Sequence, residues 1–152
     1  MRGFKDREEN LETFAGTATR SGQRVVNTVA AQHPDWILFS FDVSQAFAKG
    51  LTFEEYARLT GTQLRTVEFE VAKEDVELIR KLPGFEDFNP LTVVLKMLKS
   101  IYGLKDAPRA WRKRLHQVLS EWLMVQLHAE PELYVLHDQG RAVDAQEKAT
   151  TE

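Results

Sequence analysis

The chain has 152 residues, which is enough for one domain with a sizeable core or for a piece of a larger protein. It contains no cysteine, so disulfides, thiolate metal sites and a thiol nucleophile are excluded. A net charge of −3 argues against a protein built mainly to coat nucleic acid. The charged N-terminus is not a signal peptide and no apolar run is long enough to span a bilayer. We therefore expect a soluble, intracellular protein with no membrane partner and leave its compartment open.

The first predicted elements are a helix and a buried strand. Residues 21–32 have helical periodicity, with Val25 and Val29 on one face. Pro34 should end this helix, because proline disfavours helical geometry in the residue before it. Residues 36–43 are too apolar on both faces for a half-exposed strand, so the sequence predicts a buried strand there.

A short helix and a second strand follow. Thr52 lies three residues before Glu55, the spacing of a capping box, and Gly61 stands where a C-cap glycine belongs. Residues 66–71 alternate polar and apolar side chains, which predicts a strand with one solvent-exposed face.

The second half of the chain predicts two helices and two strands. Residues 73–82 should form a helix, and residues 92–98 a strand. The clearest helix covers residues 108–124, with Asp106 as its N-cap and an apolar stripe made by Trp111, Leu115, Val118, Leu119 and Trp122. Residues 132–137 predict a further strand before a turn at 138–140, and residues 141–152 a disordered tail. This order of elements indicates an α+β domain.

Asp42 raises the first functional question. It follows a strongly apolar run, and a carboxylate at the end of a buried strand can be exposed over a rigid base. Mg²⁺ in proteins is usually bound by one or two carboxylates together with substrate phosphates. A single aspartate binds Mg²⁺ poorly, however, and Asp42 also fits a side chain that caps the turn after it. On spacing alone the turn cap is favoured.

Residues 100–111, SIYGLKDAPRAW, raise the second question. Gly103 allows the backbone to approach a ligand, and the helix N-terminus that follows offers free N–H groups beside Lys105 and Arg109. Such a site suits phosphate, but by itself the pattern favours an ordinary tight turn before a core helix. Residues 96–114 hold seven basic residues and one acidic one. That charge fits either a nucleic-acid surface or a solvated helix face, and by itself favours the solvated face.

Four blocks taken together resemble one family. They are FDVSQAFAKG at 41–50, KLPGFED at 81–87, LKSIYGLKDAPRAWRKRL at 98–115 and AEPELYVLH at 129–137. Their order and spacing resemble the patterns D-V-x-x-A-F-L-N-G, P-P-G-F, L-Y-G-L-K-Q-A-P-R-A-W and A-D-x-x-L-[YF]-V of copia-type LTR retrotransposon reverse transcriptases, which are RNA-directed DNA polymerases. The resemblance implies part of the fingers and the first half of the palm of a right-hand polymerase, covering residues 1–140.

The resemblance also implies roles for individual residues. Asp42 would be the first of three carboxylates that hold two Mg²⁺ ions, and the backbone carbonyl of Val43 would add another oxygen. Phe47 would lie under the incoming sugar and exclude a 2′-OH. The pocket for the nucleotide and template would be lined by Tyr102, Gly103 and Lys105. The implied partners are an RNA template, a DNA primer and dNTPs.

Two departures from the family pattern affect activity. The other two family carboxylates belong to a Y-V-D-D hairpin, and this sequence contains no adjacent pair of aspartates. The family's upstream basic strand, whose arginine grips the triphosphate, also has no counterpart. We therefore expect a fragment truncated at both ends and inactive alone, because those carboxylates supply the main electrostatic stabilisation of the transition state.

Two alternatives remain open. The chain could be a non-catalytic nucleic-acid-binding remnant that uses the basic stretch 96–114, with Arg109, Arg112 and Lys113 as contacts. It could also be a partner-dependent fragment, because a sheet without its central strand pair leaves an exposed edge through which chains associate.

Overall fold

The computed structural model describes residues 11–136 and shows α-helices with short antiparallel strand pairs. The chain divides into two compact units, Met1–Gly50 with Ile101–Glu152 (unit 1) and Leu51–Ser100 (unit 2). The turn predicted at 138–140 and the tail predicted at 141–152 lie outside the described residues.

Unit 1 begins with helix α1, Arg20–Gln32. The hydroxyl of Thr19 accepts a hydrogen bond from the Gly22 backbone N–H at 3.0 Å, which satisfies one of the free N–H groups of the first turn. The hydroxyl of Thr19 also donates to the carboxylate of Glu130, far along the chain. The helix ends two residues before Pro34, so the predicted helix and its stop are both confirmed.

The predicted buried strand at 36–43 is wrong. The structure assigns no strand there, and the large apolar side chains of residues 36–41 are exposed. Among residues 11–136, no backbone–backbone hydrogen bond involves residues 37–42. Apolar composition gives a segment the tendency to form a strand, but burial requires a neighbouring strand or helix. None of the described elements covers this segment.

Helix α4, Ala107–Glu121, packs on a 3₁₀ turn formed by Ala46–Lys49. Gly50 permits the close approach, because a Cβ atom at this position would lie 3.1 Å from the Phe47 carbonyl oxygen and 3.1 Å from the Trp111 nitrogen. Both neighbours are backbone atoms, so they cannot move aside as a flexible side chain would. The predicted helix is confirmed, but Asp106 at its N-cap position makes no side-chain capping hydrogen bond.

A small hairpin completes unit 1. Strands β3, Val125–Gln126, and β4, Tyr134–Val135, pair antiparallel, so the strand predicted at 132–137 is confirmed for its centre. The loop between them carries Glu132, whose carboxylate accepts hydrogen bonds from Nε of Arg112 at 2.7 Å and from Nη2. These hydrogen bonds raise the pKa of Arg112. The ion pair ties the hairpin loop to the middle of α4.

Unit 2 begins with the predicted capping box. Helix α2 covers Phe53–Thr60. The Thr52 hydroxyl accepts from the Glu55 backbone N–H at 3.0 Å, and the Glu55 carboxylate accepts from the Thr52 backbone N–H at 2.8 Å. Gly61 ends the helix with φ of 67°, a left-handed conformation that glycine adopts without strain. The predicted helix and both of its ends are confirmed.

The strands of unit 2 are shorter than predicted. Strand β1, Glu68–Phe69, pairs antiparallel with β2, Leu95–Lys96. Between them lie a 3₁₀ turn, Lys73–Asp75, and helix α3, Val76–Arg80. The alternation predicted for residues 66–71 is confirmed by exposure, since the apolar side chains are half-buried and the polar ones exposed. The buried apolar side chains of unit 2 are Leu51, Phe53, Val76, Phe88 and Met97.

The Arg112–Glu132 pair is expected to contribute measurably to stability. Arg112→Gln should lower the free energy of unfolding by about 2 kcal/mol, because Glu132 would keep its charge at a site where its side chain is only 18% exposed. Urea denaturation of Arg112→Gln, Glu132→Gln and the double variant should give a coupling energy of about 1 kcal/mol.

The matched control is the pair formed by Arg80 and Glu77, whose side chains are 41% and 77% exposed. Their coupling energy should be about 0.3 kcal/mol, as for other exposed helix pairs. Equal coupling in the two cycles would show that Glu132 does not anchor the hairpin loop.

The partly buried hydroxyl of Tyr134 is expected to make the protein less stable at alkaline pH. Burial raises the pKa of its hydroxyl, with the negative charge of Glu132 adding to the effect. A raised pKa means that the folded state holds this proton more tightly than the unfolded state. The stability that the protonated Tyr134 hydroxyl contributes is therefore complete below the ordinary tyrosine pKa of about 10. It is lost as the pH rises through the pKa of Tyr134 in the folded state.

Tyrosinate absorbance should resolve this group, because the chain has three tyrosines. Tyr134→Phe should remove one titration step that lies above the ordinary tyrosine pKa and reduce the alkaline decline in the free energy of unfolding. Tyr102→Phe, which changes an exposed tyrosine, is the control. If the step that Tyr134→Phe removes lies at the ordinary tyrosine pKa, the effect of burial on this hydroxyl is refuted.

Candidate functional site

Asp42 and Val43 precede the 3₁₀ turn Ala46–Lys49, from which Ser44 and Gln45 separate them. Asp42 is exposed and Val43 is half-buried. Within residues 11–136, no hydrogen bond or ion pair involves the Asp42 carboxylate, so the alternative that this side chain caps the following turn finds no support. The chain direction changes instead at Gln45, whose φ of 54° is left-handed.

The first and third sequence blocks meet at an aromatic contact in unit 1. The ring of Phe47 lies 4.6 Å from the ring of Tyr102, centroid to centroid, with the planes inclined by 46°. Such pairs contribute about 1 kcal/mol beyond their buried area. Tyr102 is 56% exposed, so much of its ring is open to solvent. The structure thus brings together two residues that the resemblance assigns to one pocket.

Gly103 turns the chain toward α4. Its φ of 94° lies in the left-handed region, where a residue with a Cβ atom is strained. The Leu104 backbone N–H donates to the Ile101 carbonyl at 3.1 Å and closes this turn. Lys105 is exposed on the far side of it, whereas Leu104 is buried. Gly103 and Lys105 are therefore placed in the same turn as Tyr102.

The described residues do not form a complete metal site. Among residues 11–136, no group of three or more His, Asp or Glu side chains is arranged to hold a metal ion. Asp42 and the Val43 carbonyl can offer oxygen atoms, but a pair of Mg²⁺ ions needs several carboxylates. The residues present do not fit the two-ion site that the resemblance implies.

Two of the three candidate nucleic-acid contacts are engaged within the chain. Arg109 forms an ion pair with Glu12 through Nη1, and Arg112 pairs with Glu132. Lys113 is half-buried and makes no ion pair with another described residue. The two acidic partners were not identified from the sequence, since no local spacing links them to α4. The free positive charge of this helix is therefore smaller than its composition indicates.

The curated proteins similar to this chain are of one kind. No protein-family model and no solved structure matches the chain. No helix in residues 11–136 has the length and apolar character needed to cross a bilayer.

Two curated relatives match nearly the whole chain. It is 30% identical over 145 residues, 93% of its length, to the "Retrovirus-related Pol polyprotein from transposon RE2" of Arabidopsis thaliana. It is 29% identical over 138 residues, 89% of its length, to the "Retrovirus-related Pol polyprotein from transposon RE1" of the same plant. The chain spans 8% of the length of each relative. These similarities support a retrotransposon Pol origin for the chain.

Proposed function

We propose that the chain is part of a copia-type reverse transcriptase and contains the first of its metal-binding carboxylates. The observation that carries this proposal is the contact between Phe47 and Tyr102, which joins the FDVSQAF and YGLKDAPRAW blocks in one unit. Two motifs separated by about fifty residues would have no reason to meet if each were only a local turn signal. The similarity to retrotransposon Pol polyproteins supports the same proposal.

The exposed Asp42 carboxylate would supply one ligand of the metal site. In nucleotidyl transfer two metal ions stabilise the attacking and leaving oxygens, and the protein contributes the carboxylates that hold them. The remaining family carboxylates have no counterpart among the described residues. We therefore infer that the chain alone does not catalyse DNA synthesis.

The aromatic pair would receive the nucleotide. Phe47 presents a rigid ring whose bulk would exclude a 2′-OH, and Tyr102 offers an open ring face beside it. Lys105 in the same turn would add positive charge near a nucleotide or template phosphate. These roles require only side chains that the structure places in unit 1.

A non-catalytic nucleic-acid-binding role is less well supported. It depends on the positive charge of residues 96–114, but Arg109 and Arg112 are ion-paired with Glu12 and Glu132. A phosphate would have to compete with a carboxylate at both arginines, which lowers the net gain from each contact. We therefore favour the polymerase origin.

A block transfer tests the role of Asp42. Residues 41–50 would replace the corresponding D-V-x-x-A-F block of a catalytically active copia-type reverse transcriptase. Primer extension should stay within about tenfold of the parent enzyme, because the metal-binding oxygens are retained. Asp42→Asn in the transferred block should lower it by at least about 10²-fold.

Ser44→Ala in the same block is the matched control and should leave primer extension within about twofold of the transferred enzyme. The unmodified 152-residue chain, assayed with Mg²⁺ under the same conditions, should incorporate no dNTP. Activity that survives Asp42→Asn would refute the ligand role. Asp42-dependent extension by the chain alone would refute its incompleteness.

A further inference from the structure

A cavity of about 150 Å³ lies within unit 2 and is partly open to solvent. Its walls come from three segments: residues 52–54 at the start of α2, residues 64–65 after that helix, and residues 96–98 at the end of β2. The cavity therefore belongs to a different unit from Asp42 and from the contact between Phe47 and Tyr102.

Backbone hydrogen bonds join the three segments. The Phe53 N–H donates to the Leu98 carbonyl at 3.0 Å, which ties the start of α2 to the end of β2. The Met97 N–H donates to the Val67 carbonyl at 2.8 Å, which ties the chain just beyond residues 64–65 to the same strand. Because the walls are joined through the backbone, the cavity is already formed without a ligand, as most binding sites for small molecules are.

The lining of the cavity is mainly apolar. Phe53 and Met97 are buried side chains of the unit 2 core, and Leu64 and Leu98 add apolar surface that is 45% and 70% exposed. Engineered apolar cavities of about 150 Å³ bind benzene. The volume therefore suits one aromatic ring, which would also cover part of the two exposed leucines and remove their apolar surface from water.

Charged side chains also line the cavity, and their sum is positive. The guanidinium carbon of Arg65 lies 5.9 Å from the centroid of the Phe53 ring, a cation–π contact. Arginine has five N–H donors, so Arg65 can bind a carboxylate in addition to its contacts within the chain. Lys96 is exposed and makes no ion pair with another described residue. Glu54 is the one acidic side chain among the described residues that line the cavity.

We propose that this cavity binds a small aromatic carboxylate, with the ring against Phe53 and Met97 and the carboxylate beside Arg65 and Lys96. The apolar walls favour the ring, and the positive charge favours an anion over a neutral or cationic ligand. Arginine binds a carboxylate through two parallel hydrogen bonds, which fixes the orientation of the ligand. This inference does not depend on the proposed function, which uses residues of unit 1 alone.

Titration of the full chain with benzoate, followed by amide chemical shifts, tests the site. The amide signals of Phe53, Arg65 and Met97 should shift, with a dissociation constant on the order of 1 mM because the ligand is so small. Benzyl alcohol, which has the same ring without the charge, should bind at least about fivefold more weakly, and benzylamine more weakly still. Unchanged signals at about 20 mM benzoate, or equal binding of benzoate and benzyl alcohol, would overturn the proposal.

Lys96→Gln tests the role of charge, and the fold should tolerate this change because the side chain is exposed. It should weaken benzoate binding about threefold and leave the binding of benzyl alcohol unchanged. The matched control is Lys81→Gln, which removes an exposed lysine of unit 2 outside the cavity and should leave benzoate binding unchanged. Benzoate binding that is unaffected by Lys96→Gln, or that Lys81→Gln weakens equally, would overturn the proposal.

Discussion

The candidate site depends on the close approach of two backbone segments at Gly50. The 3₁₀ turn Ala46–Lys49 can lie against α4 only because no Cβ atom stands between the Phe47 carbonyl and the Trp111 nitrogen. The same turn carries Phe47, whose ring lies 4.6 Å from that of Tyr102, centroid to centroid. A larger side chain at residue 50 would push the turn away from the helix and separate the two sequence blocks.

Features governed by local chemistry could be predicted from the sequence. The capping box of Thr52 and Glu55, the stop before Pro34 and the position of α4 each follow from a few neighbouring residues, and the structure confirms them. The buried strand predicted at 36–43 failed because burial depends on an element elsewhere in the chain. Periodicity indicates which side chains favour an interior, but it does not supply the neighbour that would create one.

The charge pattern was the other feature that the sequence could not resolve. Residues 96–114 form a strongly basic stretch, yet two of its arginines are paired with Glu12 and with Glu132 of the hairpin loop. Both partners are distant in sequence, so counting charges within a window overestimated the positive charge available to a ligand. The family resemblance supplied the candidate residues, and the fold showed that Arg109 and Arg112 are ion-paired within the chain.

If the FDVSQAF and YGLKDAPRAW blocks form one site, the rings of Phe47 and Tyr102 must be in contact in solution. Nuclear Overhauser spectroscopy measures this contact directly. With ring centroids 4.6 Å apart, the ring protons should give strong cross-peaks in the full chain. Gly50→Val should weaken these cross-peaks, because a Cβ atom 3.1 Å from backbone atoms of Phe47 and Trp111 forces the 3₁₀ turn and α4 apart by a few tenths of an ångström. Assigned rings without a cross-peak in the unsubstituted chain, or cross-peaks of unchanged intensity in Gly50→Val, would contradict the account.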